Sequence, residues 1–197
     1  HADHISGAKL LADTTKTKYY VSGKDLKAKI NFIDLKDCDK IKIGNNEIKI
    51  IESPGHTDGS VCLLVGNKAL LTGDTLFLEG VGRLDLGRDK EEVEKGAKIL
   101  YFTLDKLKRL DGNLLILPAH FTGYGAAPIC EKLHILLGKN RPLAMEKESN
   151  FVNYALSSLS QTPPNYEQIK KLNVLCNAVP LQEGEKLEFG PNRCASK

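Results

Sequence analysis

The chain has 197 residues, of which 41% are hydrophobic and 27% are charged, and its formal net charge is +3. This composition is typical of a globular protein of about one domain. So small a net charge argues against nucleic acid or an acidic membrane surface as partner, and no apolar run approaches the roughly 20 residues that span a bilayer.

The cysteines are scattered rather than arranged in a framework. There are five, they never form a Cys-x-x-Cys pair, and their number is odd: Cys38, Cys62, Cys130, Cys176 and Cys194. This usage favours reduced thiols, so we predict a cytoplasmic protein.

The first third of the chain predicts a short helix and then strands. Small and apolar residues at helical spacing predict a helix over residues 5–12, and KINFIDL (29–35) is typical of a strand. Strict alternation on both sides of Gly44-Asn45-Asn46 predicts a β-hairpin, and a second hairpin is predicted around Gly66-Asn67.

The remaining chain changes to helical periodicity. Apolar residues at steps of three and four between Val93 and Leu107 predict a long helix that ends at Asp111-Gly112, and NLLILPAH predicts a buried strand. Residue His134 falls in a predicted helix and is expected to pack there. Two short helices are predicted in EKESNFVNYALSSLSQ and PPNYEQIKKLN, and GEKLEFGPNRCASK is predicted to be irregular.

The order of these elements predicts a mixed α/β fold with antiparallel strands. Residues 1–140 are predicted to form the catalytic domain. Residues 141–197 are predicted to form a helical C-terminal extension and tail.

Four short stretches, each at the end of a strand or turn, carry the candidate chemistry. They are HADH (His1, Asp3, His4), SPGHTDGS (His56), LLTGDTLF (Asp74) and LLILPAH (His120). Imidazole and carboxylate are the ligands of zinc and of non-haem iron. A lone histidine after a strand more often only packs, but four such stretches in this order indicate a metal site.

The geometry of two stretches can be anticipated. In HADH the alternate positions His1 and Asp3 can face one way while His4 comes from the next position, so that one turn addresses two adjacent metal positions. Pro54-Gly55 predicts a sharp turn that projects His56 into a cleft.

These motifs together resemble those of the metallo-β-lactamase fold. That family opens on His-x-His-x-Asp-His, and HADH matches its last four positions. The resemblance implies an αββα sandwich. It also leads us to expect the family's first histidine two positions before His1 and an N-terminally truncated domain that lacks the first strands. Because one ligand is then missing, we expect the chain as given to bind metal weakly or not at all.

Two details resemble the persulfide dioxygenase branch of the family more than the glyoxalase II branch. They are the alanine in HADH and the Gly-Arg-x-Asp pattern in GVGRLDLG (80–87), where glyoxalase II enzymes tend to have Gly-Arg-Leu-Phe. The resemblance covers residues 1 to about 125 well and extends more weakly to PPNYEQIKKLN and EFGPNRCA.

Each branch implies its own reaction and ligand set. A persulfide dioxygenase oxidises glutathione persulfide to sulfite with one Fe²⁺, held by the first histidine of the motif, His56 and Asp74, while His1, Asp3, His4 and His120 orient ligands and water. A glyoxalase II enzyme hydrolyses a glutathione thioester with two metal ions, usually Zn²⁺. There one site takes the first histidine, His1, His56 and Asp74, and the other takes Asp3, His4, Asp74 and His120.

Further roles follow from the same resemblance. Asp3 and His4 are the predicted catalytic residues, and Arg83, Asp85 and Tyr124 are the predicted substrate-binding residues. Alternatively, Arg83 and Asp85 form a structural ion pair in a loop, and Tyr124 only packs.

The expected partner is a small-molecule thiol persulfide or thioester, and a homodimer is a candidate assembly. FTGYGAAPICEKLH, after LPAH, differs from the glutathione-binding end of glyoxalase II enzymes. A coenzyme A persulfide therefore stays open as substrate. A nuclease of this fold is disfavoured by the small charge and the lack of room for an inserted domain.

Overall fold

The structure is a computed structural model that describes residues 1–120, 128–159 and 162–189. The described residues contain six helices and eight strands. In chain order these are α1 (Ala8–Thr15), β1 (Tyr20–Val21), β2 (Ile33–Asp34), β3 (Lys40–Ile43), β4 (Asn46–Glu52), β5 (Val61–Val65), β6 (Ala69–Gly73), α2 (Lys90–Lys108), β7 (Leu115–Pro118), β8 (Glu131–Lys132), α3 (Leu133–Lys139), α4 (Glu148–Ser157), α5 (Tyr166–Val174) and α6 (Leu181–Glu188).

The described residues group into two compact units. The first contains residues 1–35 and the described part of 161–194, and the second contains the described part of 36–160. These compact units divide the chain after residues 35 and 160. The predicted domain boundary at residue 140 stays a prediction.

The second unit is built on one mixed six-stranded sheet with the order β3-β4-β5-β6-β7-β8. The two predicted hairpins are confirmed, with Ile43 opposite Asn46 at the first turn and Val65 opposite Ala69 at the second. Strands β6 and β7 are parallel, with Leu70 beside Ile116, and the other pairs are antiparallel. The carboxyl ends of β6 and β7 therefore meet at one edge of the sheet.

The long helix α2 supplies the core of this unit. A capping box begins it, because the Asp89 side chain accepts from the Glu92 amide and the Glu92 side chain accepts from the Asp89 amide, both at 2.9 Å. Its apolar face packs against the sheet and against α4 in one cluster that includes Leu70, Leu100 and Phe151, each with no exposed surface.

The first unit contains α1, the parallel pair β1–β2, α5 and α6. The strand predicted over 29–35 shortens to Ile33–Asp34, because its partner β1 is itself only two residues long. The amides of Lys27 and Ala28 both donate to the Val174 carbonyl at the end of α5.

Three predictions of local structure need correction. Helix α1 begins at Ala8 rather than Ile5. The prediction of irregular chain from Gly184 onward is wrong for its first part, because α6 extends to Glu188 and buries Leu187. Gly184 is a poor helix former, and it obscured the helical periodicity. His134 lies in α3 but is exposed, where its Nδ1–H donates to the Gly112 carbonyl at 2.8 Å.

Candidate metal centre

His56 lies in the loop that follows β4, and the sharp turn predicted before it is present. Gly55 has φ 140°, and a Cβ there would lie 2.6 Å from Cβ of Leu100, so only glycine fits. The Nδ1–H of His56 donates to the Arg83 carbonyl at 2.7 Å. Because a carbonyl only accepts, a neutral His56 ring carries its proton on Nδ1 and presents the Nε2 lone pair, as metal-binding histidines do.

Asp74 follows β6, and its side chain is 1% exposed. Its Oδ2 lies 3.5 Å from Nε2 of His56, and its Oδ1 lies 3.4 Å from Nε2 of His120. The turn that carries it is closed by the Thr72 hydroxyl, which donates to the Leu76 carbonyl at 2.6 Å.

His120 follows β7, the strand beside β6. The Ala119 amide donates to the Gly73 carbonyl at 3.0 Å, which aligns the residue before His120 with the residue before Asp74. The His120 ring meets the Phe77 ring edge-on, with centroids 6.0 Å apart. The His120 side chain is 37% exposed overall, but its Nε2 and both oxygens of the Asp74 carboxylate are buried.

The spacing of these three side chains suits a metal ion. The two N···O distances, 3.5 and 3.4 Å, are longer than the usual 2.7–3.2 Å of an N–H···O hydrogen bond. Donor atoms that share a tetrahedral ion at about 2.1 Å lie about 3.4 Å apart. The His56–Asp74 pair and the His120–Asp74 pair therefore each suit a divalent cation in donor type and donor spacing, and each pair uses a different carboxylate oxygen.

The segment after Asp74 packs directly against Asp74 and His56. A Cβ on Gly82 would lie 2.0 Å from the Asp74 carbonyl oxygen and 2.8 Å from Nδ1 of His56. Arg83, 2% exposed, donates to Asp85 from Nε at 2.8 Å and from Nη2 at 2.7 Å. This bidentate geometry is that of a strong ion pair, and the predicted substrate-binding role of both residues stays a prediction.

Two residues that the sequence analysis missed also hold this region. Arg88 donates from Nη1 to the Gly55 carbonyl at 2.9 Å and from Nη2 to Asp58 at 3.2 Å. Asn140, fully buried, donates to the Phe77 and Gly80 carbonyls, both at 3.0 Å. Neither lies in a recognisable motif, and their partners are 33 and about 60 positions away along the chain.

The HADH stretch lies in the first compact unit. Oδ1 of Asp3 accepts from Nδ1 of His4 at 2.9 Å and lies 3.9 Å from Nδ1 of His1. The rings of His1 and His4 stack, with centroids 5.2 Å apart and planes at 23°. The two histidines are therefore neighbours on one turn, and their expected role at two adjacent metal positions stays a prediction.

Two residues named in the sequence analysis, Tyr124 and Cys194, lie outside the described residues, and the role of Tyr124 stays a prediction. Within the described ranges, no helix is both long and apolar enough to cross a membrane. The cytoplasmic location stays a prediction.

Comparison with known proteins gives concordant matches. The sequence model of the metallo-beta-lactamase superfamily matches residues 1–120. Hydroxyacylglutathione hydrolase of Prochlorococcus marinus (strain MIT 9312) is 34% identical over 124 residues, which are 61% of this chain and 47% of that protein. Hydroxyacylglutathione hydrolase of Francisella tularensis subsp. tularensis (strain WY96-3418) is 38% identical over 123 residues, 61% of this chain and 46% of that protein. The chain thus spans about half the length of these curated relatives.

Solved structures agree on the fold. A metallo-beta-lactamase from Staphylococcus aureus subsp. aureus COL superposes with a TM-score of 0.81 and 28% identity, covering 89% of this chain and 56% of that one. ETHE1 from Myxococcus xanthus superposes with a TM-score of 0.77 and 23% identity, covering 90% and 74%. The α/β fold expected from the motifs is confirmed.

Proposed function

Because the chain belongs to the metallo-β-lactamase superfamily, we propose that it is a metal-dependent enzyme that oxidises a low-molecular-weight thiol persulfide to sulfite. The substrate is a persulfide of the glutathione type, with a coenzyme A persulfide as the alternative carrier. The balanced reaction consumes one persulfide, one O₂ and one water, and releases the thiol, sulfite and two protons.

One observation carries this proposal, namely the way the Gly-Arg-x-Asp segment packs behind His56. Gly82 contacts the His56 ring, the Arg83 carbonyl fixes its tautomer, and Asp85 holds Arg83 by two hydrogen bonds. A phenylalanine in place of Asp85, as in the glyoxalase II pattern, could not accept these bonds. The feature that distinguishes the persulfide dioxygenase pattern is thus structurally coupled to a predicted ligand.

The chain's own residues would act as follows. His56 and Asp74, with the first histidine of the family motif, would hold one Fe²⁺, which when bound offers open positions for the substrate sulfur and O₂. His1, Asp3, His4 and His120 would orient ligands and water. Asp3 accepts the Nδ1 proton of His4, so Nε2 is the basic nitrogen of a neutral His4 ring and can take up a proton.

A two-metal thioester hydrolase is the second candidate, and the contacts of Asp74 favour it. Its two oxygens each face a different imidazole, that of His56 and that of His120, as a carboxylate shared by two Zn²⁺ ions would require. The names of the relatives point the same way. Here His1, Asp3, His4, His56, Asp74 and His120 would all be ligands, and two cations would lower the pKa of bound water into the neutral range.

Oxygen uptake separates the two candidates. The full-length protein is loaded anaerobically with ferrous iron, given glutathione persulfide, and followed with an oxygen electrode while sulfite is measured. We expect rapid uptake that His56→Ala abolishes and that the matched control His134→Ala retains. No uptake, together with hydrolysis of a hydroxyacylglutathione by the zinc-loaded protein, would refute the dioxygenase and support the hydrolase.

Metal stoichiometry gives a second, independent criterion. The dioxygenase proposal expects one ion per chain, in both the wild type and His120→Ala. The hydrolase expects two ions in the wild type and a loss of about one in His120→Ala. Elemental analysis of protein loaded with each metal measures this directly.

A further inference from the structure

The first six residues are held by side chains of the two C-terminal helices, α5 and α6. These residues lie in no helix or strand, so their backbone groups need other partners. Asn173 of α5 donates from Nδ2 to the His1 carbonyl at 2.9 Å and to the His4 carbonyl at 2.8 Å, and its Oδ1 accepts from the Ser6 amide at 2.8 Å. One carboxamide thus uses both N–H groups and its oxygen on the same turn.

Helix α6 completes this arrangement. Glu188 accepts from the Ile5 amide at 2.6 Å, a short, charge-assisted hydrogen bond. Ile5 also lies on Gly184 of α6, where a Cβ would be 3.8 Å from its Cγ1. The two helices are themselves joined, because Asn165, just before α5, donates to the Leu187 carbonyl at 2.9 Å.

These hydrogen bonds determine how the turn presents its side chains. Two carbonyls three residues apart reach one NH₂ group only if the backbone curls. The curled backbone stacks the rings of His1 and His4 and brings the Asp3 carboxylate to Nδ1 of His4. We infer that Asn173 is a positioning residue for the metal-binding turn, with Glu188 as its partner.

In this arrangement α5 and α6 of the C-terminal extension position the backbone of the HADH stretch. It rests on the proposed function in one respect, namely that His1, Asp3 and His4 contribute to metal binding or orient its ligands. Groups that orient metal ligands typically change metal affinity about 10–100-fold when they are mutated.

The test uses full-length protein and Co²⁺ alone as probe, with the dissociation constant measured by competition against a chromophoric chelator. Asn173→Asp keeps an oxygen for the Ser6 amide but places a carboxylate against two carbonyls. We expect it to weaken Co²⁺ binding about 10–100-fold. The matched control is Asn177→Ala, since Asn177 is an exposed asparagine just beyond α5, and it should stay within about twofold of the wild type.

A second readout separates this inference from the proposed function. The amide signals of Ile5 and Ser6 in the metal-free protein report the two hydrogen bonds directly, and both should shift in Asn173→Asp and stay in place in Asn177→Ala. Wild-type protein that binds no Co²⁺ refutes the proposed function, while the amide shifts still test the contact. Shifted amides with an unchanged Co²⁺ dissociation constant refute the positioning role.

A second variant decides the matter if Asn173→Asp does not fold. Glu188→Gln keeps an acceptor for the Ile5 amide but removes the charge, so we expect faster hydrogen exchange at Ile5 and Co²⁺ binding weakened about threefold to tenfold. Exchange and affinity both equal to those of the wild type would overturn the inference.

Discussion

Substitution of Gly82 by alanine should disturb Asp74 and His56, two predicted metal ligands, at once. The added Cβ would lie 2.0 Å from the Asp74 carbonyl oxygen, about 1.4 Å short of ordinary van der Waals contact, and 2.8 Å from Nδ1 of His56. The first of these atoms belongs to the backbone and cannot rotate away. Either Asp74 or the 80–85 segment must therefore move by more than about 1 Å, and such a displacement near a reacting centre can cost about 10²-fold in rate.

We expect Gly82→Ala to lower the free energy of unfolding by about 1–3 kcal/mol, the usual cost of overpacking, and to weaken metal binding about 10–100-fold. Urea unfolding and chelator competition measure the two effects separately. The matched control is Gly138→Ala in α3, where a Cβ meets nothing within 4 Å; it should leave metal affinity unchanged and add up to about 1 kcal/mol of stability. Wild-type stability and affinity in Gly82→Ala would refute the reasoning.

Two further predictions concern single side chains of the same unit. Arg88→Ala leaves the Gly55 carbonyl without its guanidinium donor and should lower the free energy of unfolding, measured in urea, by about 1–3 kcal/mol. Asp58→Asn changes only a partner of Arg88 that is 78% exposed, so it should lower the same free energy by less than about 1 kcal/mol. Equal losses in the two variants would contradict this. Burial raises the pKa of the Cys62 thiol from 9.0 to about 11, so the folded protein keeps a proton that the unfolded chain loses. Stability should fall as pH rises from 9 to 11, and a Cys62→Ala variant that shows the same fall would contradict the assignment.

Local sequence patterns predicted the elements whose stabilising contacts are short-range. The hairpin turns at Gly44 and Gly66 and the helix α2 were all anticipated from alternation, glycine and periodicity. The prediction failed where a distant partner decides the outcome. The segment 29–35 has strong strand composition, yet only two of its residues pair because β1 offers no more.

The residues of the candidate site also differ in whether a local sequence pattern predicts them. His56, Asp74 and His120 could be named from their motifs, because each follows an apolar strand that the sequence marks, and the resemblance put them in order. Asn140, just after α3, and Asn173, within α5, could not be named in this way, because neither lies in a recognisable motif.

What the sequence by itself determined about this protein is therefore the chemical identity of the candidate ligands, the strands that carry them and the family to which they belong. What only the tertiary structure decided is how those side chains are held. Asn173 is 172 positions from His1 and Asn140 is 63 positions from Phe77. A hydrogen bond between residues so far apart depends on how the chain packs, and no local pattern of residues encodes it.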